Sequence, residues 1–322
     1  KIDSTCFLEN YSKDSLNIFR SGGAVYFRNS NDKTGFHLND NKFYRNKAAY
    51  GGAIYADGSP LNFIRGLFAF NQVSENGAAV YLNQGSTQSN FLNCIFQSNE
   101  VEDGNSGEFS GAVAHLLYGN DRENDTTRFI NCNFNYNGGI AVSIVTDGNN
   151  NSSDKCLIRN SELYFNKYFS QAQYQLYPVN TGFYIIDYSN IQDKGFYQCN
   201  NCISVPSKRE PQTTYCLDST SQNIDKGHTS EEYYDICGND SVRNDIGVTG
   251  GPYAFCNCEN TIIKDKADDD SPCTYADSQQ RNDWQIYPNP TNGIIKIIPD
   301  DYSFEEIILK VYNLWGENLL TR

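Results

Sequence analysis

The chain contains no methionine, and it has only three histidines, two tryptophans and nine prolines among its 322 residues. It also lacks any uninterrupted apolar stretch of about eighteen residues, so no helix is expected to span a bilayer. Positive charge is scarce, because 25 Lys and Arg oppose 39 Asp and Glu to give a formal net charge of −14. Such an acidic surface repels phosphates and anionic membranes, so nucleic acid is not an expected partner.

Residues 1–20 lack the apolar core of a signal peptide. Eleven cysteines in an acidic, asparagine-rich chain nevertheless indicate an oxidising, extracellular compartment, in which disulfides persist. We therefore expect a mature form or a fragment of an exported protein.

What the sequence does contain is aromatic and turn-forming residues: 23 Tyr, 19 Phe and 25 Gly, with asparagine throughout. Aromatic residues suit pleated strands, and Asn and Gly suit tight turns. Apolar residues alternate over short runs that end in Gly, Asn or Asp, which is typical of strands. The composition therefore predicts an all-β protein.

Two short phrases recur along the first half of the chain. SGGAVYF returns as GGAIY and as NGAAVYL, and their tyrosines Tyr26, Tyr55 and Tyr81 are 29 and 26 residues apart. The second phrase, F-x-x-N or finally L-x-x-N, occurs at Phe7–Asn10, Phe43–Asn46, Phe68–Asn71, Phe96–Asn99, Phe134–Asn137 and Leu163–Asn166. Periods of this length are typical of stacked supersecondary units.

Short strands joined by tight turns at this period predict a right-handed parallel β-helix, whose coils stack about 4.8 Å apart. On this fold Val25, Ile54 and Val80 point inward as an aliphatic ladder, and the phenylalanines of F-x-x-N form an aromatic one. Each Asn of F-x-x-N is expected at a corner in the left-handed conformation, with its amide bonded to the next coil. The Gly pair permits a bend that a Cβ would obstruct. Surface loops are expected at the insertions 101–110, 118–127 and 146–154.

The pairing of GGA(I/V)Y with F-x-x-N, over residues 1–170, resembles the repeats of chlamydial polymorphic membrane proteins and similar surface adhesins. NIDKG at 223–227, followed by DICGNDSVRNDIGVTGGPYA at 235–254, is similar to the closing segment of bacterial pectin-lyase-like β-helix proteins. Both resemblances imply a β-helix, and the first implies adhesion.

Residues 284–320, WQIYPNPTNGIIKIIPDDYSFEEIILKVYNLWGENLL, resemble the first half of the C-terminal sorting domain of the Bacteroidetes type IX secretion system. The opening YPNPTNG matches at Tyr287, Pro288, Asn289, Pro290, Asn292 and Gly293. Ile294–Ile298 matches its first strand, and Val311–Gly316 matches a later strand and turn. The resemblance implies an incomplete immunoglobulin-like β-sandwich, the type IX secretion machinery as a partner, and anchoring at the cell surface or release.

Five triplets look like the D-S/T-(aliphatic or Thr) acceptor of Bacteroidetes O-glycosylation. Their candidate acceptors are Ser4, Ser15, Thr126, Ser219 and Ser241. The resemblance implies sugar on their hydroxyls, and chance occurrence in a Ser- and Asp-rich chain is the alternative.

Cys94 and Cys132 each lie two residues before the Phe of F-x-x-N, so they are expected on successive coils. Stacked Cα atoms about 4.8 Å apart fall within disulfide range, and buried thiols acting as small hydrophobes are the alternative. The last third of the chain contains seven more, at Cys199, Cys202, Cys216, Cys237, Cys256, Cys258 and Cys273. A zinc site is expected to show a second C-x-x-C, which the sequence lacks. Disulfides in an irregular C-terminal cap are therefore the favoured interpretation.

No catalytic constellation stands out. The β-helix polysaccharide hydrolases carry an N-T-D, D-D, G-H-G, R-I-K series that this chain lacks, and the acids at 268–270 lie in an acidic linker. The histidines, His37, His115 and His228, form no spaced ligand pair and are expected to be packed or solvated.

Pectate lyases place calcium-binding acids beside an Arg or Lys base, and basic residues are sparse along the ladders here. Asp235 and Asp245 with Arg243 are interpreted as parts of capping turns. No catalytic residue and no cofactor are therefore assigned, although the Asp- and Asn-rich loops leave calcium as a candidate ligand.

The three tyrosines of the first phrase are the candidate binding residues. If Ile54 points inward, Tyr55 points outward, and Tyr26, Tyr55 and Tyr81 form an exposed aromatic strip. Such a strip suits stacking on sugars or contact with a surface protein, and cover from a loop or another chain is the alternative.

The sequence thus predicts four segments: β-helix coils at 1–205, the end and cap of the β-helix at 206–258, an acidic linker at 259–283 and the partial sorting domain at 284–322. The favoured function is a non-catalytic adhesin or structural protein, secreted or anchored outside a Gram-negative, Bacteroidetes-type cell. A secreted polysaccharide lyase or hydrolase of the pectin-lyase-like fold is the alternative.

Overall fold

The computed structural model describes residues 2–12, 21–28, 35–83, 86–102, 112–118, 126–146, 155–166, 175–177, 183–192, 194, 197–208, 217–233, 235, 243–254, 284–287, 296–299, 310–312 and 318–321. The chain divides into two compact units, Lys1–Cys273 and Thr274–Arg322. Across the described residues the protein is all-β, with only short 3₁₀ turns such as Glu231–Tyr233. No helix in these segments is long and apolar enough to cross a membrane.

The first unit is a parallel β-helix, whose coils run through four sheets named here A to D. Sheet A contains β1 (Ile2–Asp3), β4 (Phe36–Asn39), β8 (Leu61–Ile64), β12 (Asn90–Leu92), β16 (Thr126–Ile130), β19 (Lys155–Arg159), β22 (Tyr184–Asp187) and β24 (Cys199–Asn200). Sheet B contains β2 (Cys6–Leu8), β5 (Lys42–Tyr44), β9 (Leu67–Ala69), β13 (Ile95–Gln97), β17 (Asn133–Asn135), β20 (Glu162–Tyr164) and β23 (Asn190–Ile191).

The other two sheets complete each coil. Sheet C contains β6 (Lys47–Tyr50), β10 (Gln72–Asn76) and β14 (Glu100–Val101). Sheet D contains β3 (Val25–Arg28), β7 (Ile54–Asp57), β11 (Val80–Leu82), β15 (Ala112–Tyr118), β18 (Ile140–Thr146) and β21 (Leu176–Tyr177). Because hydrogen-bonded neighbours within each sheet come from successive coils, the predicted parallel β-helix is confirmed.

The predicted aliphatic ladder lies inside sheet D. Val25 pairs with Ile54, and Ile54 pairs with Val80, in a continuous parallel register. Ile54 and Val80 are buried, and the ladder continues through Ala114 and Val142. The repeated phrase therefore marks equivalent positions on successive coils.

Phenylalanines fill the opposite side of the core as two interlocking ladders. The predicted one, from Phe7 to Phe134, has successive ring centroids 4.2–5.0 Å apart and nearly parallel planes. The second runs through Phe63, Phe91 and Phe129 on sheet A and was not predicted. Rings of the two ladders meet edge-on, which is a favourable aromatic geometry.

The asparagines of F-x-x-N form a buried hydrogen-bond ladder, as predicted. Each Nδ2 donates to the Oδ1 of the next asparagine over 2.6–3.1 Å, in the series Asn10, Asn46, Asn71, Asn99, Asn137 and Asn166. The same Nδ2 also bonds a phenylalanine carbonyl of the preceding coil, as from Asn71 to Phe43 at 3.0 Å. This network links the coils through groups that would otherwise be buried without partners.

The left-handed residue at this corner is not the asparagine, so that part of the prediction is wrong. The residue before it takes the positive φ, as at Arg45 (53°) and Tyr136 (57°). The asparagine turns inward because its amide is needed in the ladder. The predicted role of the Gly pair holds, since Gly51 has φ 64° and a Cβ on Gly52 would lie 2.2 Å from the Ala78 carbonyl oxygen.

Four of the nine candidate disulfide cysteines lie among the described residues. Cys94 and Cys132 are free, buried thiols, which is the second of the two alternatives for this pair. Burial, with the neighbouring Cys94 thiol, raises the pKa of Cys132 well above its ordinary value. Cys199 and Cys202 form a disulfide. Cys216, Cys237, Cys256, Cys258 and Cys273 lie outside the described residues.

A side segment, comprising described residues 217–233, 235 and 243–254, packs alongside the coils. Its backbone binds a row of corner asparagines: Asn93 Nδ2 donates to the Gly250 carbonyl at 2.7 Å, and Gly247 N donates to the Asn160 carbonyl at 2.7 Å. Val248 packs with Tyr44 and other outward residues of sheet B. The described part of this segment thus covers a flank of the β-helix, and the assignment of residues 206–258 as its end and cap stays a prediction.

The described residues of the second unit form two antiparallel strand pairs. These are β25 (Trp284–Tyr287) with β26 (Lys296–Pro299), and β27 (Lys310–Tyr312) with β28 (Asn318–Thr321). Tyr287 ends β25, whereas Pro288, Asn289, Pro290, Asn292 and Gly293 lie outside the described residues, as does the predicted linker. The immunoglobulin-like sandwich stays a prediction.

Candidate functional site

The predicted tyrosine strip lies on the outer face of sheet D. In β3, β7 and β11 the aliphatic ladder points into the core, so the following residue of each strand points outward. The register pairs Tyr26 with Tyr55, and Tyr55 with Tyr81. Three coils therefore place one tyrosine each in a single row.

The rings of this row stack on one another. The Tyr26 and Tyr55 centroids are 5.2 Å apart with planes 2° apart, and the Tyr55 and Tyr81 centroids are 4.9 Å apart with planes 8° apart. His115 continues the stack 4.7 Å beyond Tyr81, and Tyr50 of β6 packs edge-on against Tyr81 at 5.5 Å. The strip is thus a fixed aromatic column along successive coils.

The stacking of the rings determines which part of each ring is accessible to a ligand. Tyr55 and Tyr81 have a ring neighbour on both faces, so they present edges and hydroxyls outward. Among the described residues Tyr26 has one stacked ring neighbour, Tyr55, and it is 46% exposed. A sugar needs an open aromatic face to stack on, so within this column the geometry concentrates that role on Tyr26.

Burial keeps the phenols of the column protonated. It raises the pKa of Tyr81 to about 12, and the neighbouring Tyr50 adds to the rise. Burial also raises the pKa of Tyr55, with contributions from Tyr81 and then Asp57. At neutral pH these hydroxyls are neutral and able to donate a hydrogen bond to a ligand.

A polar row runs beside the column on the same face. Arg28 pairs with Asp57 in the register, and Asn83 donates its side-chain amide to Asp57 at 3.0 Å. Strand residues two apart share a face, so these side chains flank Tyr26, Tyr55 and Tyr81 in turn. The triplets YFR, YAD and YLN carried this signal in the sequence, but the prediction missed it.

The far end of the column is closed. His115 is buried, and its Nδ1 lies 2.7 Å from the Ser143 hydroxyl. Burial lowers the pKa of His115 to about 4, so the ring is neutral at physiological pH. His37 is exposed on β4, and His228 packs edge-on against Tyr188, so all three histidines occupy packed or solvated positions.

The carboxylates singled out in the sequence hold turns of the side segment. Asp235 Oδ2 accepts a hydrogen bond from Asp245 N at 3.0 Å, and Oδ1 accepts one from Gly251 N. Burial raises the pKa of Asp235 to about 7, against the opposing effect of the Gly251 hydrogen bond. Arg243 Nε donates to the Gly227 carbonyl at 3.0 Å. Among the described residues no group of three His, Cys, Asp or Glu is placed to hold a metal ion, and calcium stays a prediction.

The candidate glycosylation sites are scattered. Ser4 and Ser219 are exposed, and Thr126 begins β16. Ser15 and Ser241 lie outside the described residues. The structure brings none of the three described hydroxyls into the tyrosine column.

Comparison of the chain with protein-family models, curated proteins and solved structures gives no significant match. The functional argument therefore depends on the geometry of the described residues and on the resemblances in the sequence.

Proposed function

We propose that this protein is a non-catalytic, glycan-binding adhesin or structural protein of the cell exterior. The outer face of sheet D would be its binding surface. The observation that carries the proposal is the tyrosine column, which combines one open ring face at Tyr26 with phenol hydroxyls and a parallel polar row. Aromatic faces with adjacent hydrogen-bonding groups suit the mixed apolar and hydroxyl surface of a sugar.

A glycan array tests this proposal. The intact chain is expected to bind a subset of glycans, and Tyr26→Ala is expected to lose that binding because the stacking face is removed. Tyr55→Ala is expected to weaken it, since the column beneath Tyr26 is interrupted. Tyr253→Ala, which changes another exposed tyrosine in the side segment, is the matched control. Unchanged binding by both column variants would remove the basis of the proposal.

The proposal includes export by the type IX secretion machinery and location outside a Bacteroidetes-type cell. Its support is the YPNPTNG resemblance, the disulfide Cys199–Cys202 and the strand pair that begins at Trp284. A right-handed coil and an immunoglobulin-like sorting fold belong to the same proposal. Deleting residues 284–322 in a host with this machinery is expected to retain the protein in the periplasm, and export of the truncated chain would contradict it.

The alternative function, polysaccharide cleavage, is distinguished from adhesion by the products that it would release. Incubation with a panel of acidic polysaccharides is expected to give neither unsaturated ends nor new reducing ends. The appearance of either product at a rate proportional to protein concentration would replace the adhesin proposal by the enzymatic one.

A further inference from the structure

A second aromatic feature lies at the corner between sheets B and C. The residue before each asparagine of the buried ladder takes a φ between 51° and 59°. This row consists of Glu9, Arg45, Phe70, Ser98, Tyr136 and Phe165. The left-handed conformation is thus imposed by the coil, whatever side chain the position holds.

Tyr136 and Phe165 are bulky occupants of such a row. Bulky side chains are disfavoured at positive φ, and the other coils place Glu, Arg, Phe or Ser there. Both rings are nevertheless open to solvent, with Tyr136 54% and Phe165 37% exposed. Strained, exposed aromatics contribute little core burial, and this combination points to contact with a ligand.

The two rings are fixed relative to each other. Their centroids are 5.1 Å apart with planes 14° apart, and Tyr164 packs edge-on against Phe165 at 5.0 Å. Phe165 therefore occupies one face of Tyr136. The other face of Tyr136 is directed along the row toward the preceding coil, which carries Ser98.

Ser98 leaves a gap of one coil in this aromatic row. Gln97 pairs with Asn135, so Ser98 lies directly below Tyr136 at the coil spacing of about 4.8 Å. Stacked rings elsewhere in the protein are 4.2–5.4 Å apart, so a ring above Ser98 would lie at stacking distance from Tyr136. Phe70, one coil further, packs against Tyr44 with centroids 5.2 Å apart, and among the described residues only Phe165 stacks on Tyr136.

We propose that Tyr136 and Ser98 form a binding site for a single sugar ring. The apolar face of the sugar would stack on Tyr136, and its hydroxyls would contact the Ser98 and Tyr136 hydroxyls. The exposed surface of two rings is far smaller than the roughly 800 Å² that each partner buries in a standard protein interface. The small area therefore favours a small ligand. The site is independent of the tyrosine column, which lies on sheet D.

Saturation-transfer NMR with the intact chain tests the site. The probes are the methyl glycosides of glucose, galactose, mannose and N-acetylglucosamine, with N-acetyltyrosine amide as an aromatic probe. At least one glycoside is expected to receive saturation, mainly at the protons of one ring face. Tyr136→Ala is expected to reduce this signal at least fivefold, whereas Tyr136→Phe should retain most of it because the stacking face remains.

Ser98→Tyr supplies a second variant, which fills the gap with a ring while keeping Tyr136. It is expected to fold, as monitored by circular dichroism and thermal melting, and to exclude the glycoside. All variants are also measured in the Tyr26→Ala background, which removes the stacking face of the tyrosine column, and Tyr253→Ala is the control expected to leave the signal unchanged. The proposal is overturned if no glycoside receives saturation, if Tyr136→Ala and Ser98→Tyr both bind like the parent, or if only the aromatic probe binds.

Discussion

Asn71 shows how one side chain links three coils. Its Oδ1 accepts hydrogen bonds from Asn46 N at 3.0 Å and Asn46 Nδ2 at 2.9 Å. Its Nδ2 donates to Asn99 Oδ1 at 2.9 Å and to the Phe43 carbonyl at 3.0 Å. All of these groups are buried or bound away from water, so the side chain satisfies partners that have no alternative.

Replacing Asn71 by Ala is therefore expected to cost roughly 3–5 kcal/mol of unfolding free energy, because buried donors and acceptors lose their partners. Chemical denaturation monitored by circular dichroism measures this loss. Asn200→Ala, at an exposed position of β24, is the matched control and should change stability by less than about 0.5 kcal/mol. Equal effects of the two substitutions would show that the ladder contributes no particular stability.

His115 predicts a dependence of stability on pH. Burial lowers its pKa to about 4 in the folded chain, whereas an unfolded histidine titrates near about 6.5. The unfolded state therefore binds more protons between these values, so the contribution of His115 to stability is lost as pH falls from about 6.5 to 4. Thermal melting across this range is expected to show a decline that is shallower in His115→Phe. An identical decline in both proteins would contradict the buried, neutral ring.

At the level of elements, the two phenylalanine ladders hold sheets A and B together. Phe91 stacks between Phe63 and Phe129 and meets Phe96 edge-on. Phe91→Ala is expected to cost about 3–5 kcal/mol, because it removes a buried ring and leaves a cavity between rigid neighbours. Leu92→Ala, the next residue on the outward face, should cost clearly less. Urea unfolding measures the free energy of unfolding that each variant loses. Comparable losses in the two variants would argue against an interlocked core.

The side segment is a second element with its own test. Burial raises the pKa of Asp235 to about 7, with the charges of Asp245 and Asp225 adding to the rise. Because the folded pKa lies above the ordinary value of 3.8, the folded state binds more protons between these values, and the contribution of Asp235 to stability falls as pH rises toward 7. The protection factors of residues 243–251 in hydrogen exchange, which are corrected for the intrinsic pH dependence of amide exchange, are expected to fall over this range. Asp235→Asn should remove that dependence, and an unchanged profile would show that another group controls the segment.

At the level of the whole molecule, much of the β-helix could be predicted, because a coil that repeats its corners must repeat their residues. Spacing alone predicted the ladder that contains Val25 and Ile54 and the ladder of the F-x-x-N phenylalanines. The second ladder at Phe63, Phe91 and Phe129 repeats at the same intervals as Phe68, Phe96 and Phe134, but its copies NFI, NFL and RFI carry no constant second residue such as the asparagine of F-x-x-N.

Other features had no local signal. Gly247 contacts Asn160, although the two residues are far apart in the chain. The periodicity of the coils does not predict which flank a non-repeating segment covers. The order of the rings in the tyrosine column was predictable, whereas their mutual stacking was not. Ring orientation depends on side-chain packing between coils, and among the described rings it leaves Tyr26 with one stacked face.

The most direct test of the account is the affinity of the intact chain for the strongest glycan on the array, measured by isothermal titration calorimetry. If Tyr26 supplies the stacking face, Tyr26→Ala should weaken binding at least tenfold, and Tyr253→Ala should leave the affinity within twofold of the parent. Equal affinities for the parent chain and Tyr26→Ala would contradict the claim that the end of the tyrosine column is the binding surface.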